Sequence, residues 1–265
     1  MSNMEGNKIK LRVLENDDAV NLDMALDMLA EIMKNNERGK QTVFIVPVGP
    51  VKQYPILAAM VNKLKVSLKN VWFFNMDEYL ISPTEAISPE HFLSFKKRMN
   101  DEFYVRVDEA LIMPKEQRLF PIPGREKEYD ELLKSLGGAD VCYGGLGING
   151  HIAFNEAAEK DDPITCEEFA NLGTRVLPIS RETIAINGAA YIHGDIMAMP
   201  KWCITIGMKQ IIASKRIYLS MGAAWHPGIL KHVLNDKPQP QIPATILQKH
   251  DNVLFCINKS IAKLI

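Results

Sequence analysis

Apolar positions between Asp17 and Lys34 (Val20, Leu22, Met24, Ala25, Leu26, Met28, Leu29, Ile32 and Met33) recur with a largely helical period behind the acidic start Asn16-Asp17-Asp18. That pattern predicts an amphipathic helix with its start marked by acidic capping residues. A short apolar run at about 43–48 predicts a strand, and Ile56, Leu57, Met60, Val61 and Leu64 predict a helix over about 54–66. The β-formers of Asn70-Val-Trp-Phe-Phe-Asn-Met-Asp-Glu-Tyr79 predict a buried strand at 71–76 that stops at Asp77-Glu78-Tyr79. Pro89 and Glu90 are expected to open a helix reaching about 102, because proline suits a first helical turn. Glu126 to Ser135 predicts a further helix ended by Gly137-Gly138, and apolar runs near 140–143, 202–206, 216–221 and 252–256 predict strands.

Strands alternating with helices in this order indicate an α/β fold: one domain over residues 1–265, with a largely parallel, Rossmann-like sheet flanked by helices on both faces. The stretch 157–200 is the least regular, mixing Glu159-Lys-Asp-Asp162 with Gly173, Pro178, Gly188 and Gly194, a composition typical of lids and binding loops.

Composition narrows the chemistry. At 265 residues and 47% hydrophobic the chain can bury a sizeable core, and its net charge of -1 argues against electrostatic binding to nucleic acid or to an anionic membrane face. Cys142, Cys166, Cys203 and Cys256 show no CxxC spacing and read as reduced residues of a cytoplasmic protein. The histidines show no HExxH-like spacing, so no metal is inferred, and no GxGxxG with a distant ribose carboxylate points to a nucleotide; no cofactor is expected. Met1–Lys10 lacks an apolar signal region, and no apolar stretch has the length of a membrane span.

Candidate chemistry collects in two places. Tyr143-Gly-Gly-Leu-Gly-Ile-Asn-Gly-His-Ile-Ala-Phe-Asn-Glu156 follows a predicted strand, and its glycines at 144, 145, 147 and 150 permit positive φ and close backbone approach to a ligand. Asn149 and His151 can share a side in an extended segment, whereas His151 and Glu156 would diverge by about 140° on a helix, so a common pocket requires an irregular loop. Asp77 ends another predicted strand, where a carboxylate beside an imidazole can move protons; a helix or turn cap is the lesser reading, and the two roles are compatible.

Phe74-Asn-Met-Asp-Glu-Tyr79, Ser88-Pro-Glu-His-Phe-Leu-Ser-Phe95 and Gly144 to Glu156 resemble, in order and spacing, the glucosamine-6-phosphate deaminase/isomerase family. Pro200-Lys-Trp-Cys-Ile-Thr-Ile-Gly207 and Pro243-Ala-Thr-Ile-Leu-Gln-Lys-His250 extend the likeness to nearly the whole chain. The resemblance implies aldose–ketose isomerisation with ammonia release. Asp77 would be the base between C1 and C2, His151 the ring-opening acid/base, and Glu156 the carboxylate that orients it. Asn149 stands where some members carry Asp, which places more of that task on Glu156. The partner implied is a small-molecule sugar or sugar phosphate, and the 157–200 region is expected to move over the site and to contribute to contacts in a homo-oligomer.

Three parts of the phosphate end depart from the family pattern. Phe44-Ile-Val-Pro-Val-Gly-Pro-Val-Lys-Gln53 keeps only Gly49 of the hydroxyl- and glycine-rich turn, Asn187-Gly-Ala-Ala190 lacks an arginine, and Gly222-Ala-Ala-Trp-His226 lacks a lysine. Lys52, Lys209 and His226 are the candidate replacements, and Trp225 reads as a core anchor or a sugar-stacking platform. The substrate-binding set expected is therefore Gly49, Lys52, Gly147, Gly150 and Lys209. The alternatives are a 6-phosphogluconolactonase-like hydrolase, which needs His151 but no C1/C2 base, and a non-catalytic sugar-phosphate sensor, which is expected to lose the base and the imidazole first.

Overall fold

A computed structural model describes residues 6–265; Met1–Glu5 and what was read from them lie outside it. Eleven strands run in chain order: β1 Lys10–Leu14, β2 Thr42–Val46, β3 Val71–Asn75, β4 Asp77–Ser82, β5 Glu85–Ala86, β6 Arg118–Leu119, β7 Val141–Gly144, β8 Arg175–Pro178, β9 Trp202–Thr205, β10 Ile217–Met221 and β11 Val253–Asn258. The α-helices are α1 Asp17–Glu37, α2 Gln53–Leu64, α3 Phe95–Met99, α4 Glu126–Ser135, α5 Cys166–Ala170, α6 Arg181–Tyr191, α7 Met208–Ile212, α8 His226–Asn235 and α9 Lys259–Ala262.

Seven strands form one parallel sheet in the order β1-β11-β10-β7-β2-β3-β6. Alternate residues feed opposite faces. Phe44, Val46, Phe73 and Tyr143 join Met24, Met28, Tyr54 and Leu57 of α1 and α2 in one buried cluster. Val43, Ile45, Phe74, Cys142 and Leu219 join Tyr129, Leu133, Met208 and Leu230 of the helices on the other face. Both faces are thus sealed, as the uninterrupted apolar runs anticipate. The edge strand β1 is largely exposed and gives no apolar run to read.

The chain winds outward from β2 in both directions, through β3 and β6 on one side and β7, β10 and β11 on the other. The loops after β2 and β7 therefore part at the carboxyl edge, the place where open α/β sheets hold ligands. A Cβ on Gly145 would lie 3.0 Å from the Gly49 carbonyl oxygen and 3.1 Å from Pro50 Cδ, so glycine lets these two loops meet.

A second, four-stranded sheet, β5-β4-β9-β8, corrects two sequence expectations. The run through Tyr79 is two strands: Met76 donates its amide to Val46, accepts from Ile206, and turns the chain so that Asp77 begins β4 and pairs antiparallel with Thr205. The predicted strand at 202–206 is β9 of this sheet and not a member of the parallel one. The helix expected from Pro89 begins only at Phe95, because its capping groups are Ser94 and, from β4, Glu78. Residues 157–200 contain α5, β8 and α6, which tie that region to the second sheet.

Candidate active site

Asp77 and Glu78 are neighbours on β4 and so face opposite ways. Glu78 is consumed by structure: it accepts from the amides of Tyr79, Phe95 and Lys96 and from Ser94 Oγ at 2.9–3.0 Å, anchoring the start of α3. Burial raises its carboxyl pKa even though these donors favour the charged form. Asp77 faces a cavity of about 560 Å³ at the switch point and is only 6% exposed, and its carboxylate makes no hydrogen bond among the described residues. Burial, and secondarily the charge of Glu78, push its carboxyl well above the usual range, making its ionised form a stronger base.

The loop after β7 brings His151 to the same cavity. This segment is irregular, as a shared pocket requires: Ala153 takes φ +56°, Phe154 donates its amide to Thr205 Oγ1, and buried Asn155 donates to the Ile152 and Ile206 carbonyls. Arg175 closes the bracket by donating to Asn155 Oδ1 at 2.7 Å. The rings of Phe95 and Phe154, stacked 6.0 Å apart, line the cavity wall between the two loops.

Behind the imidazole lies a directional network. Asn149 donates from Nδ2 to Glu156 Oε2 at 2.8 Å, which turns its Oδ1 toward His151 Nδ1, also at 2.8 Å. Because a carboxylate can only accept, this orientation of the amide puts the proton on Nδ1 and leaves Nε2 without a hydrogen-bond partner among the described residues. Glu156 lies 3.2 Å from Nδ1 and also receives Thr183 Oγ1 at 3.1 Å and the Ser180 amide at 3.3 Å. Burial opposes its charge, yet the hydrogen bond and charge of His151, with the donors on Asn149 and Thr183, bring its carboxyl down to about 2. Ser180 and Thr183, at the start of α6, gave no sequence signal beyond an ordinary helix cap.

The glycines divide. Gly49 and Gly147 line the cavity, but Gly147 serves chiefly as space: a Cβ there would fall 2.1 Å from His151 Nε2. Gly150, expected to bind substrate, instead has φ +84° and backs onto Ile242, which a Cβ would approach to 2.7 Å. Asn149 and Glu156 stand behind His151 and do not line the cavity.

The expected cations divide too. Lys52 lines the cavity, whereas Lys209 is exposed on α7, which follows β9 out of the second sheet and packs against α5. His226 lines the cavity but is no cation. Its Nδ1 accepts from the Ala223 amide, its Nε2 donates to the Leu146 carbonyl, and burial lowers its pKa to about 4. Arg98, Tyr191, Asn187 and Asp17 also line the cavity without having been singled out for it. Arg98 sits in the basic run Lys96-Lys97-Arg98, which by itself reads as a solvated helix face. Among the described residues no cluster of three or more His, Cys, Asp or Glu could hold a metal, and no helix is long and apolar enough to cross a membrane.

Comparison with known proteins agrees with this layout. No protein-family model matches the chain. A glucosamine-6-phosphate deaminase of Mycoplasmopsis pulmonis is 29% identical over 82% of this chain and 80% of its own length. One from Clostridium perfringens is 27% identical over 97% of this chain and 100% of its own. Among solved structures, a monomeric glucosamine-6-phosphate deaminase superimposes with a TM-score of 0.82 at 23% identity, covering 97% of this chain and 100% of that one. A 6-phosphogluconolactonase from Thermotoga maritima gives 0.68 at 16% identity, covering 95% and 100%. The likeness to glucosamine-6-phosphate deaminases first carried by the Asp77 and His151 segments thus extends along nearly the whole chain, in sequence and in fold.

Proposed function

We propose that this chain is an amino-sugar isomerase/deaminase, converting a 2-amino-2-deoxy aldose phosphate and water into the corresponding ketose phosphate and ammonia. His151 moves the proton that opens the sugar ring, exposing the C1 aldehyde. Asp77 removes the C2 hydrogen while the C1 oxygen gains a proton, giving an enolamine. Return of a proton to C1 leaves an iminium at C2; water adds there, ammonia departs, and the C2 ketone remains.

One observation carries this reading: a buried carboxyl without a protein partner and an imidazole with a committed Nδ1 open onto the same sugar-sized hollow. Relatives named for the same reaction support it. Lactone hydrolysis requires no proton transfer between C1 and C2, and sugar sensing requires no tautomer-fixing network.

The test is a turnover panel of glucosamine 6-phosphate, glucosamine and 6-phosphogluconolactone, reading ammonia, ketose and acid. Ammonia and ketose in equal amounts from an amino sugar are the expected result. Acid release from the lactone with no ammonia from either amino sugar overturns the proposal.

A further inference from the structure

We infer that the anionic end of the substrate binds Arg98 and Lys52, on the wall made by α3 and the β2–α2 loop, and not the loop after β10. The inference rests on the amino-sugar reading and specifies its substrate as a sugar bearing a terminal oxyanion.

Arg98 and Phe95 lie three apart, so both face the cavity from one side of α3. The Arg98 guanidinium carbon sits 4.8 Å from the Tyr191 ring centroid and makes no hydrogen bond or ion pair among the described residues. Arg38 and Arg181 also lack polar partners there, but they are exposed, whereas Arg98 is half-buried. A guanidinium fixed over a ring, partly withdrawn from water and with its donors unspent, is a prepared site for an oxyanion. Lys52, which has no ion pair among the described residues, brings a second cation to the same cavity. Tyr191 Oη closes the gap between them, since a Cβ on Gly49 would lie 3.7 Å from it. Glu102 lines the same wall, but its Oε2 is held by Arg106 at 3.0 Å.

The opposite end repels an anion. Asp17 lines it, and a Cβ on Gly222 would meet Asp17 Oδ1 at 2.7 Å, so the loop that lacks a lysine is pressed against a carboxylate. Asp17 Oδ1 also accepts from Asn258 Nδ2 at 2.6 Å, which holds it in place. With both nitrogens of His226 spent within the protein, no salt bridge among the described residues balances Asp17 on that side.

Calorimetric titration of the full chain with glucosamine 6-phosphate, glucosamine and inorganic phosphate tests this, using Arg98→Gln, Arg98→Lys and Lys52→Gln, with thermal melts confirming that each variant is folded. Arg98→Gln is expected to weaken glucosamine 6-phosphate and inorganic phosphate by about ten- to a hundredfold, with glucosamine unchanged. Arg98→Lys should recover part of the loss, which a purely structural role for the guanidinium would not produce. The inference is overturned if a folded Arg98→Gln/Lys52→Gln double variant binds glucosamine 6-phosphate and inorganic phosphate as the wild type does, or if the wild type binds neither. Binding of inorganic phosphate that depends on Arg98, in a protein that releases no ammonia from any amino sugar, upholds the subsite and refutes the reaction instead.

Discussion

A missing side chain at Gly147 sets the position of the imidazole, since any Cβ would displace the His151 ring from the place where Asn149 and Glu156 hold it. Gly147→Ala is therefore expected to lower kcat by about a hundredfold or more, with little change in melting temperature; a kinetic and thermal comparison decides it. Asp77 has the opposite economy. Its folded pKa lies above the unfolded value, so the fold favours the protonated form and loses stability as pH rises and the charge forms. Asp77→Asn should then melt higher than the wild type at pH 8, by about 2–6 °C, while losing turnover. Asp77 and His151 could be picked out in the sequence because a titratable group at the end of an apolar run is conspicuous. Arg98 could not, because a lysine-arginine run on a short helix looks like a solvated face until the ring of Tyr191, far along the chain, is seen beneath it. Lys209 was misplaced for the converse reason: the strand before it belongs to the other sheet.

At the scale of elements, the start of α3 depends on a carboxylate from another strand. Glu78 satisfies two of the first free amides of the helix together with Ser94 Oγ. Glu78→Gln keeps the shape but gives up the charge and turns one acceptor into a donor facing these amides. Urea unfolding should show a loss of about 1–3 kcal/mol, and a displaced α3 should also weaken sugar-phosphate binding through Arg98. This dependence explains why the helix start was read too early: Pro89 is a strong local signal, whereas Glu78 acts across the gap between two elements. The turn at Met76 was hidden because that apolar residue is buried whether the chain goes straight on or changes sheet. Elements whose signals are local, such as the start of α1 at its Asn16 cap and the whole of α4 before Gly137 and Gly138, are legible to the residue, although α1 runs on past Lys34 to Glu37.

The cavity lies where the strand order of the parallel sheet turns back on itself, and the second sheet brings Asp77, the proposed base, to that crevice. Two further groups there tie stability to pH. His226 is held neutral with a pKa near 4, so the unfolded state takes up its proton first as pH falls below about 6.5, and stability drops between there and 4. Glu156, held near 2, contributes stability that is complete above about 4.5 and lost as pH falls toward 2. Protonation of Asp77 opposes these losses as pH falls, so the readout is a difference: the stability of His226→Phe relative to the wild type in urea unfolding should rise as pH falls from about 6.5 to 4. The most direct test of the joint action of Asp77 and His151 on one sugar compares ammonia release and sugar-phosphate binding in the wild type and in Asp77→Asn. Release should fall by about a thousandfold or more while the dissociation constant stays within about threefold. An Asp77→Asn protein that releases ammonia at close to the wild-type rate would contradict it.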